Sequence, residues 1–250
     1  MDASDGPDDL PVYTVRPSPR ARQMSLRINL RGELEVVVPR RFDLGRIPAL
    51  VASKRGWIER TSRRIREQRG LIGPHCFELL PASVELPAIG ERWAVDYRMA
   101  RRAGVRLRER PPEFEGETGH LELCGDIDDQ GACKRALRRW LGARARERLA
   151  PWLREVSEES GLPFSTVGFR GASTRWASCS GKRGISLNPK MLFLPRQLVR
   201  YVFFHELAHT VRPDHSGKYW RLLERLEPGC RQLDREVRRA WNLVPLWMDK

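Results

Sequence analysis

The segment His205-Glu206-Leu207-Ala208-His209 constrains this chain more than any other part of its sequence. The ten residues before it, 195–204, indicate a helix, because a proline suits the helix start and apolar side chains recur at helical spacing. Residues four apart lie on the same face of a helix. His205 and His209 are therefore expected to present imidazole nitrogens to one metal ion.

His215 is the predicted third ligand, because it follows the helix after a turn of only five residues. Three of the five histidines in the chain thus fall within eleven residues. Glu224 and Glu227, on the next predicted helix, are rival ligands, but imidazole on a short tether is the better donor to zinc. Three protein ligands leave a tetrahedral ion one open position, which is typical of catalytic sites. The sequence therefore predicts one Zn²⁺ per chain.

Glu206 lies beside the first ligand, where its carboxylate can reach a water at the metal without ligating the ion itself. Its predicted role is that of general base, taking a proton from the attacking water and delivering it to the leaving amine. The pattern predicts a zinc metallopeptidase that hydrolyses peptide bonds. The alternative is a buried helix whose histidines satisfy local hydrogen bonds.

Several sequence segments around this motif carry a resemblance to a known family, and segments near residues 38–41 and 54–58 carry it more weakly. The main blocks are Arg175–Ser180, Gly184–Asn188, Tyr201–His209 and His215–Trp220. Together they resemble the YgjP-like zinc metallopeptidase family, which is related to the SprT and WLM metalloproteases. One departure is Ala177, where the family usually has glycine.

The amino-terminal half has the pattern of a β-rich domain. Alternating apolar residues at 26–30 and 34–38, with Gly32 between them, predict a hairpin. One helix is expected from Leu44 to Gln68, with Trp57 and Ile58 on its apolar side. Four more strands are predicted around residues 84–86, 93–99, 105–107 and 121–123, separated by turns that contain glycine or proline.

The second half begins with a long predicted helix, residues 132–160, followed by strands near 166–170 and 184–188 with a loop at 175–180. A last helix is expected from Ser216, a suitable N-cap. The resemblance implies an α+β, zincin-like metallopeptidase domain with the H-E-x-x-H helix. We expect it at residues 131–250, after a disordered acidic terminus at 1–11 and the smaller β-rich domain at 12–130.

Three residues are predicted to bind substrate. Arg175 and Asn188 lie in blocks that match the family and could grip the substrate or stabilise an oxyanion. Ile185 lies in the strand before the metal helix, where related zincins place an edge strand that pairs with an extended peptide. The alternatives are hydrogen bonding within the loop for the first two and an ordinary core strand for Ile185.

Composition bears on partners and location. The net charge is +14, which favours attraction to nucleic acid, but 40 of the 46 basic residues are arginines spread through both halves. The acidic start of the chain lacks the features of a secretory signal, and no apolar run approaches a membrane span. These observations predict a cytoplasmic protein without membrane association. The partner expected from the metallopeptidase pattern is a protein or peptide substrate.

The five cysteines are scattered and odd in number, so they predict reduced thiols and no disulfide framework. Cys179 as a catalytic nucleophile is an alternative to the zinc hypothesis. Two other functions stay open: a DNA-associated protease that cleaves DNA-bound proteins, as in the SprT and WLM relatives, and a non-enzymatic interaction module that zinc stabilises.

Overall fold

The computed structural model describes residues 11–19, 21–28, 33–71, 80–101, 103–114 and 116–248, with only the backbone described at 64–71. The chain divides into two compact units, Met1–Gly73 and Pro74–Lys250. The described residues form six α-helices and three small sheets, a mixed α and β architecture. Residues 1–10 of the predicted disordered terminus, and Cys76, lie outside the described residues.

The first unit contains a three-stranded sheet of β1 (Tyr13–Pro17), β2 (Ser25–Ile28) and β3 (Leu34–Val38), in the order β1-β3-β2. Strands β2 and β3 pair antiparallel, with Leu26 opposite Val36, as the alternating pattern predicts. Strand β1 pairs with β3 in parallel. The predicted turn at Gly32 lies outside the described residues.

Two helices follow this sheet, α1 (Ile47–Ser53) and α2 (Arg55–Leu71), where a single helix was expected. The two are separated at Lys54, whose backbone leaves helical geometry. Ile58 is buried against the sheet core, but Trp57 is 38% exposed, so its predicted place on the apolar side was wrong.

The second unit begins with a four-stranded sheet that contains all four strands expected between residues 84 and 123. They are β4 (Ser83–Leu86), β5 (Glu91–Met99), β6 (Val105–Arg110) and β7 (Thr118–Gly125), in the order β4-β5-β7-β6. Strands β5 and β7 are parallel, and the other pairs are antiparallel. Strand β7 lies between β5 and β6, so β6 pairs with β7 and not with β5, and the alternation of apolar residues does not reveal this order.

The long helix α3 (Gln130–Ser160) shares a core with this sheet. Asp129 caps its first turn by accepting from the Ala132 N–H, and Gly161 ends it with a left-handed backbone. Trp140 packs edge to face on Trp93 at 5.3 Å between ring centroids. The expected domain boundary near residue 130 therefore falls inside the second unit, because the sheet buries its apolar face against α3.

The rest of the second unit holds the sequence blocks singled out above. A sheet of β8 (Thr166–Phe169), β9 (Ala177–Cys179) and β10 (Gly184–Leu187) has the order β8-β10-β9, and the helices α4 (Arg196–His209), α5 (Gly217–Leu226) and α6 (Cys230–Arg239) follow. Strand β9 lies within the segment that was expected to be a loop. In the described part of the chain, no helix combines the length and apolar character needed to cross a membrane.

Gly119 of β7 tests the packing between sheet and helix. A Cβ at this position would lie 2.5 Å from Cε3 of the fully buried Trp93. We expect Gly119→Ala to lower the free energy of unfolding by roughly 1–3 kcal/mol, because Trp93 cannot move without disturbing Trp140. The measurement is chemical denaturation of the full chain.

Gly142 in α3 provides the matched control, since a Cβ there meets no atom within 4 Å. Gly142→Ala should leave stability unchanged or raise it by up to about 1 kcal/mol, because alanine favours helix. Equal stability of the two variants would contradict the close approach of β7 to Trp93.

Candidate metal centre

Helix α4 is held in place by burial along most of its length. Leu198, Val199, Val202, Phe203 and Phe204 are all 6% exposed or less. A helix packed on several sides has a fixed rotation about its axis, and this determines where its polar side chains point. The two histidines of α4 therefore emerge at a defined place, at its carboxyl end.

The chain turns back sharply after α4. Thr210 Oγ1 donates to the Leu207 carbonyl, and the Arg212 N–H donates to the Ala208 carbonyl. This tight turn brings His215 to the two histidines of the helix, as the short tether predicts.

The three imidazoles converge through their Nε2 atoms. Nε2 of His205 lies 3.3 Å from Nε2 of His209 and 3.4 Å from Nε2 of His215. A tetrahedral zinc with Zn–N bonds of about 2.0–2.1 Å separates its ligand nitrogens by about 3.3–3.4 Å. The spacing therefore fits a zinc ion held by all three residues.

The rival carboxylates are engaged elsewhere. Glu224 accepts from the Gly229 N–H and from the Cys230 thiol. Glu227 lies 3.6 Å from Arg200 Nε. Among the described residues, the group of side chains that could hold a metal ion consists of the three histidines, whose candidate ligand atoms lie within 4.8 Å of one another.

His209 is oriented through its second nitrogen. Its Nδ1 lies 3.0 Å from the Arg212 carbonyl oxygen, an acceptor, so Nδ1 carries the hydrogen and Nε2 keeps its lone pair for a metal. The ring of Tyr219 stacks on the His209 ring at 4.7 Å between centroids. The same turn that delivers His215 thus also fixes the tautomer of His209.

His205 is oriented by a chain of hydrogen bonds that reaches α6. Its Nδ1 lies 3.4 Å from Tyr201 Oη, and Tyr201 donates its hydroxyl hydrogen to Asp234 Oδ1 at 3.0 Å. Arg238 Nε donates to Asp234 Oδ2 at 2.8 Å. The tyrosine oxygen can therefore accept from His205 Nδ1 while its own hydrogen is held by a carboxylate.

Asp214, which is adjacent to His215 in the chain, has a different partner. Its Oδ1 accepts from the Ser216 N–H, and hydrogen bonding of this carboxylate to Ser216 lowers its pKa. The groups that orient His205 come instead from a preceding turn of α4 and from a later helix. No short motif links Tyr201 with Asp234.

Burial is the main influence on the charge state of the cluster. Together with the neighbouring charges of His209 and His215, it lowers the pKa of His205 to about 4. Burial lowers the pKa of His209 as well. The rings of His205 and His209 are therefore neutral at pH 7, which is the form that ligates metals.

Glu206 is 6% exposed, and burial raises its pKa to about 7. A hydrogen bond from the Cys179 backbone N–H and the charge of Arg175 act in the opposite direction. The carboxylate is thus held beside the histidines, largely shielded from solvent. Its pKa lies near neutral pH, where it can both take and give a proton.

A cleft of about 480 Å³ opens onto the three histidines and Glu206. One wall is formed by residues of the β9 segment, and Arg175 is among them. Asn188 is buried instead, where its amide donates to the Ala172 and Arg175 carbonyls. Arg175 therefore lies at the site, whereas Asn188 forms hydrogen bonds with the backbone of the loop that carries Arg175.

Ile185 does not reach the cleft. It is 2% exposed, and β10 is the central strand of its sheet, paired with β8 on one side and β9 on the other. The expectation that this strand is an edge was therefore wrong. The edge beside α4 is formed by β9, which lies in the segment that was expected to be a loop. Its three residues are too few to show the alternation of apolar and polar side chains that predicts a strand.

Ala177 lies in extended β9, and Arg183 is the one non-glycine residue with positive φ among the described residues. Alanine therefore suits this position, where the family usually has glycine. The neighbouring Cys179 thiol has its pKa raised by burial and by the charge of Glu206. This disfavours the thiolate, so the geometry does not support a cysteine nucleophile.

Comparison with protein families agrees with this geometry. The model of the YgjP-like metallopeptidase domain matches residues 22–240. The chain belongs to the YgjP-like metallopeptidase family. The match includes strands of the first unit as well as the histidine cluster, so the family domain extends over both compact units. None of the curated proteins matches the chain.

Two solved structures of metallopeptidase zymogens are similar to part of this YgjP-like chain. Abylysin of Pyrococcus abyssi is 26% identical, with a TM-score of 0.33, over 36% of this chain and 90% of that chain. Jannalysin of Methanocaldococcus jannaschii is 19% identical, with a TM-score of 0.32, over 35% of this chain and 91% of that chain.

Asp234 offers a test of the orienting chain. We expect Asp234→Asn to weaken zinc binding by roughly 10- to 100-fold, because Tyr201 loses its charged acceptor and His205 its orientation. Competition against a chromophoric chelator measures the affinity, and the absorption of a Co²⁺-substituted sample reports the ligand geometry. Tyr201→Phe should behave in the same way.

Glu236→Gln is the control, since Glu236 lies on the same helix and bonds to Gln232 rather than to Tyr201. It should bind zinc as the parent chain does. An Asp234→Asn variant with unchanged zinc affinity and Co²⁺ spectrum would show that α6 does not orient the ligand.

Proposed function

We propose that this protein is a zinc-dependent metallopeptidase in which His205, His209 and His215 hold the ion and Glu206 is the general base. The observation that supports this most directly is the 3.3–3.4 Å spacing of the histidine Nε2 atoms beside a buried carboxylate. A structural zinc site would be closed by a fourth protein ligand. Here three ligands face a cleft large enough for a peptide segment.

Zinc bound at this site would act as a Lewis acid toward the scissile carbonyl and would lower the pKa of a water. Glu206 takes a proton from the attacking water and delivers it to the leaving nitrogen. Its raised pKa suits both transfers near neutral pH, and the Cys179 N–H holds the carboxylate in place. The neutral imidazoles need no deprotonation before they bind the metal.

Arg175 is proposed to bind the substrate. It lines the cleft, and its positive charge acts on Glu206. A guanidinium in this position can hold a substrate carbonyl and stabilise the negative charge that develops on its oxygen. Asn188 is proposed to act indirectly, because its amide holds the Arg175 carbonyl.

Strand β9 is proposed to pair with the extended substrate. The Trp176 carbonyl accepts from Asn188 N–H, and the Ser180 N–H donates to the Gly184 carbonyl, so the even-numbered residues of this segment bond to β10. In an antiparallel pair the intervening residues direct their main-chain groups to the opposite side. The main-chain groups of Ala177 and the Cys179 carbonyl therefore face the outer edge, beside the cleft, while the Cys179 N–H bonds to Glu206. Main-chain pairing there would give affinity with little sequence preference.

Glu206→Gln tests the chemistry. The amide has the same shape but cannot take a proton, so we expect zinc to be retained and cleavage of an unfolded protein substrate to fall by about 10²- to 10⁴-fold. Metal analysis and a chelation-and-readdition cleavage assay are the measurements. Glu155→Gln, an exposed change on α3, should keep full activity.

Two outcomes would contradict the proposal. Unchanged turnover in Glu206→Gln would remove the carboxylate from the mechanism. Unfolding on chelation, without any peptide cleavage by the zinc-loaded protein, would instead indicate an interaction module that zinc stabilises.

Ala177→Pro tests the substrate edge. Proline removes only the N–H that faces outward, and edge strands tolerate proline. We expect KM for a peptide substrate to rise several-fold while zinc content and the β9–β10 pairing are retained. Steady-state kinetics and circular dichroism are the measurements.

Ala177→Val serves as the control, because it keeps the N–H and suits a strand. It should leave KM near that of the parent chain. If the proline variant is folded and has an unchanged KM, the substrate does not pair with β9 at this residue.

A further inference from the structure

A second groove lies next to the cleft of the metal centre. It encloses about 710 Å³ and is bounded by α5 and by the turn that follows α4. Val211 lines both the groove and the cleft, so the two are adjacent at this residue. Nothing in the proposed chemistry uses the groove.

The groove is strongly cationic. Lys218, Arg221 and Arg225 lie on one face of α5, since they are three, four or seven residues apart, and Arg212 comes from the turn. All four side chains are exposed, and none forms a salt bridge with another residue in the described part of the chain. By contrast, Arg200 and Arg238 are paired with carboxylates.

The acidic residue in the groove does not neutralise these cations. The Glu224 carboxylate is turned to the Gly229 N–H and the Cys230 thiol at the carboxyl end of α5. The floor is apolar, since Leu222 lies on the same face of α5 and Val211 is 42% exposed. A ligand suited to this groove therefore carries several negative charges and has apolar portions between them.

We propose that the groove binds an acidic segment of the polypeptide substrate, a few residues away from the bond at the metal centre. This rests on the proposed peptidase function and specifies its substrate class as unfolded polypeptide with clustered aspartate or glutamate. Because the groove and the cleft share Val211, the favoured occupant is a segment of the same polypeptide that occupies the cleft. The apolar floor suits side-chain methylenes, whereas a nucleic acid backbone would contact the rim alone.

Charge complementarity of this kind acts mainly on encounter and on selection among substrates. Exposed ion pairs contribute little singly, but four cations around one groove act on a multivalent anion together. The interaction is therefore expected to weaken steeply with salt, since screening shortens the range of exposed charges to about 8–10 Å at physiological ionic strength.

The test uses the zinc-loaded Glu206→Gln chain, so that binding is measured without turnover. Three fluorescein-labelled 20-residue peptides share an alanine and leucine framework and carry glutamate, glutamine or lysine at the same positions. Fluorescence polarisation should show at least about fivefold tighter binding of the glutamate peptide than of the glutamine peptide at low salt, and weakest binding of the lysine peptide.

The groove variant is Arg221→Gln with Arg225→Gln. Its matched control is Arg139→Gln with Arg154→Gln, which removes the same two charges from exposed positions on α3 and lowers the net charge of +14 equally. The preference for glutamate should fall to less than twofold in the groove variant and persist in the control.

Three results would overturn the proposal. The first is equal binding of the glutamate and glutamine peptides, and the second is an equal loss of the preference for glutamate in the groove and control variants. The third is tighter binding of 20-nucleotide DNA than of the glutamate peptide, if only the groove variant loses this DNA binding. The last result would assign the groove to nucleic acid. Because no step of this test depends on hydrolysis, its failure is distinct from failure of Glu206→Gln to lose cleavage.

Discussion

The site depends on one constraint: Nε2 of His209 and Nε2 of His215 must both approach within about 3.4 Å of Nε2 of His205. Neutral ring nitrogens at this distance present lone pairs to the same small volume, which is stable when a cation occupies it. The arrangement requires that α4 cannot rotate about its axis. Burial of its apolar residues on several sides provides this, and the tight turn after the helix provides the third donor.

Burial then has a second effect, on charge. The same packing that fixes α4 removes water from His205 and Glu206, so the histidine stays neutral and the carboxylate gains affinity for a proton. The low solvent exposure therefore favours both metal binding and proton transfer. The cost of burying these groups is offset by hydrogen bonds, one from His205 Nδ1 to the Tyr201 oxygen and one from the Cys179 N–H to the Glu206 carboxylate.

In the proposed function, two surfaces would share substrate recognition. Strand β9 would offer main-chain groups to an extended peptide along one wall of the cleft, whereas the proposed groove on α5 would discriminate by charge. Both lie in the second unit, and each is adjacent to a different part of the metal centre. A general binding edge combined with a charged secondary surface gives selectivity without a deep side-chain pocket.

The sequence by itself determined the histidine motif, the helix that carries it, and most strands, since these follow from spacing along a few residues. It also indicated His215, because a five-residue turn leaves few other positions. Only the tertiary structure decided that β9 rather than β10 is the edge, that Asp234 and Tyr201 orient His205, and that the sheet after residue 80 belongs with α3. These features depend on contacts between residues 6 to more than 30 positions apart, and local periodicity carries no information about which distant elements meet.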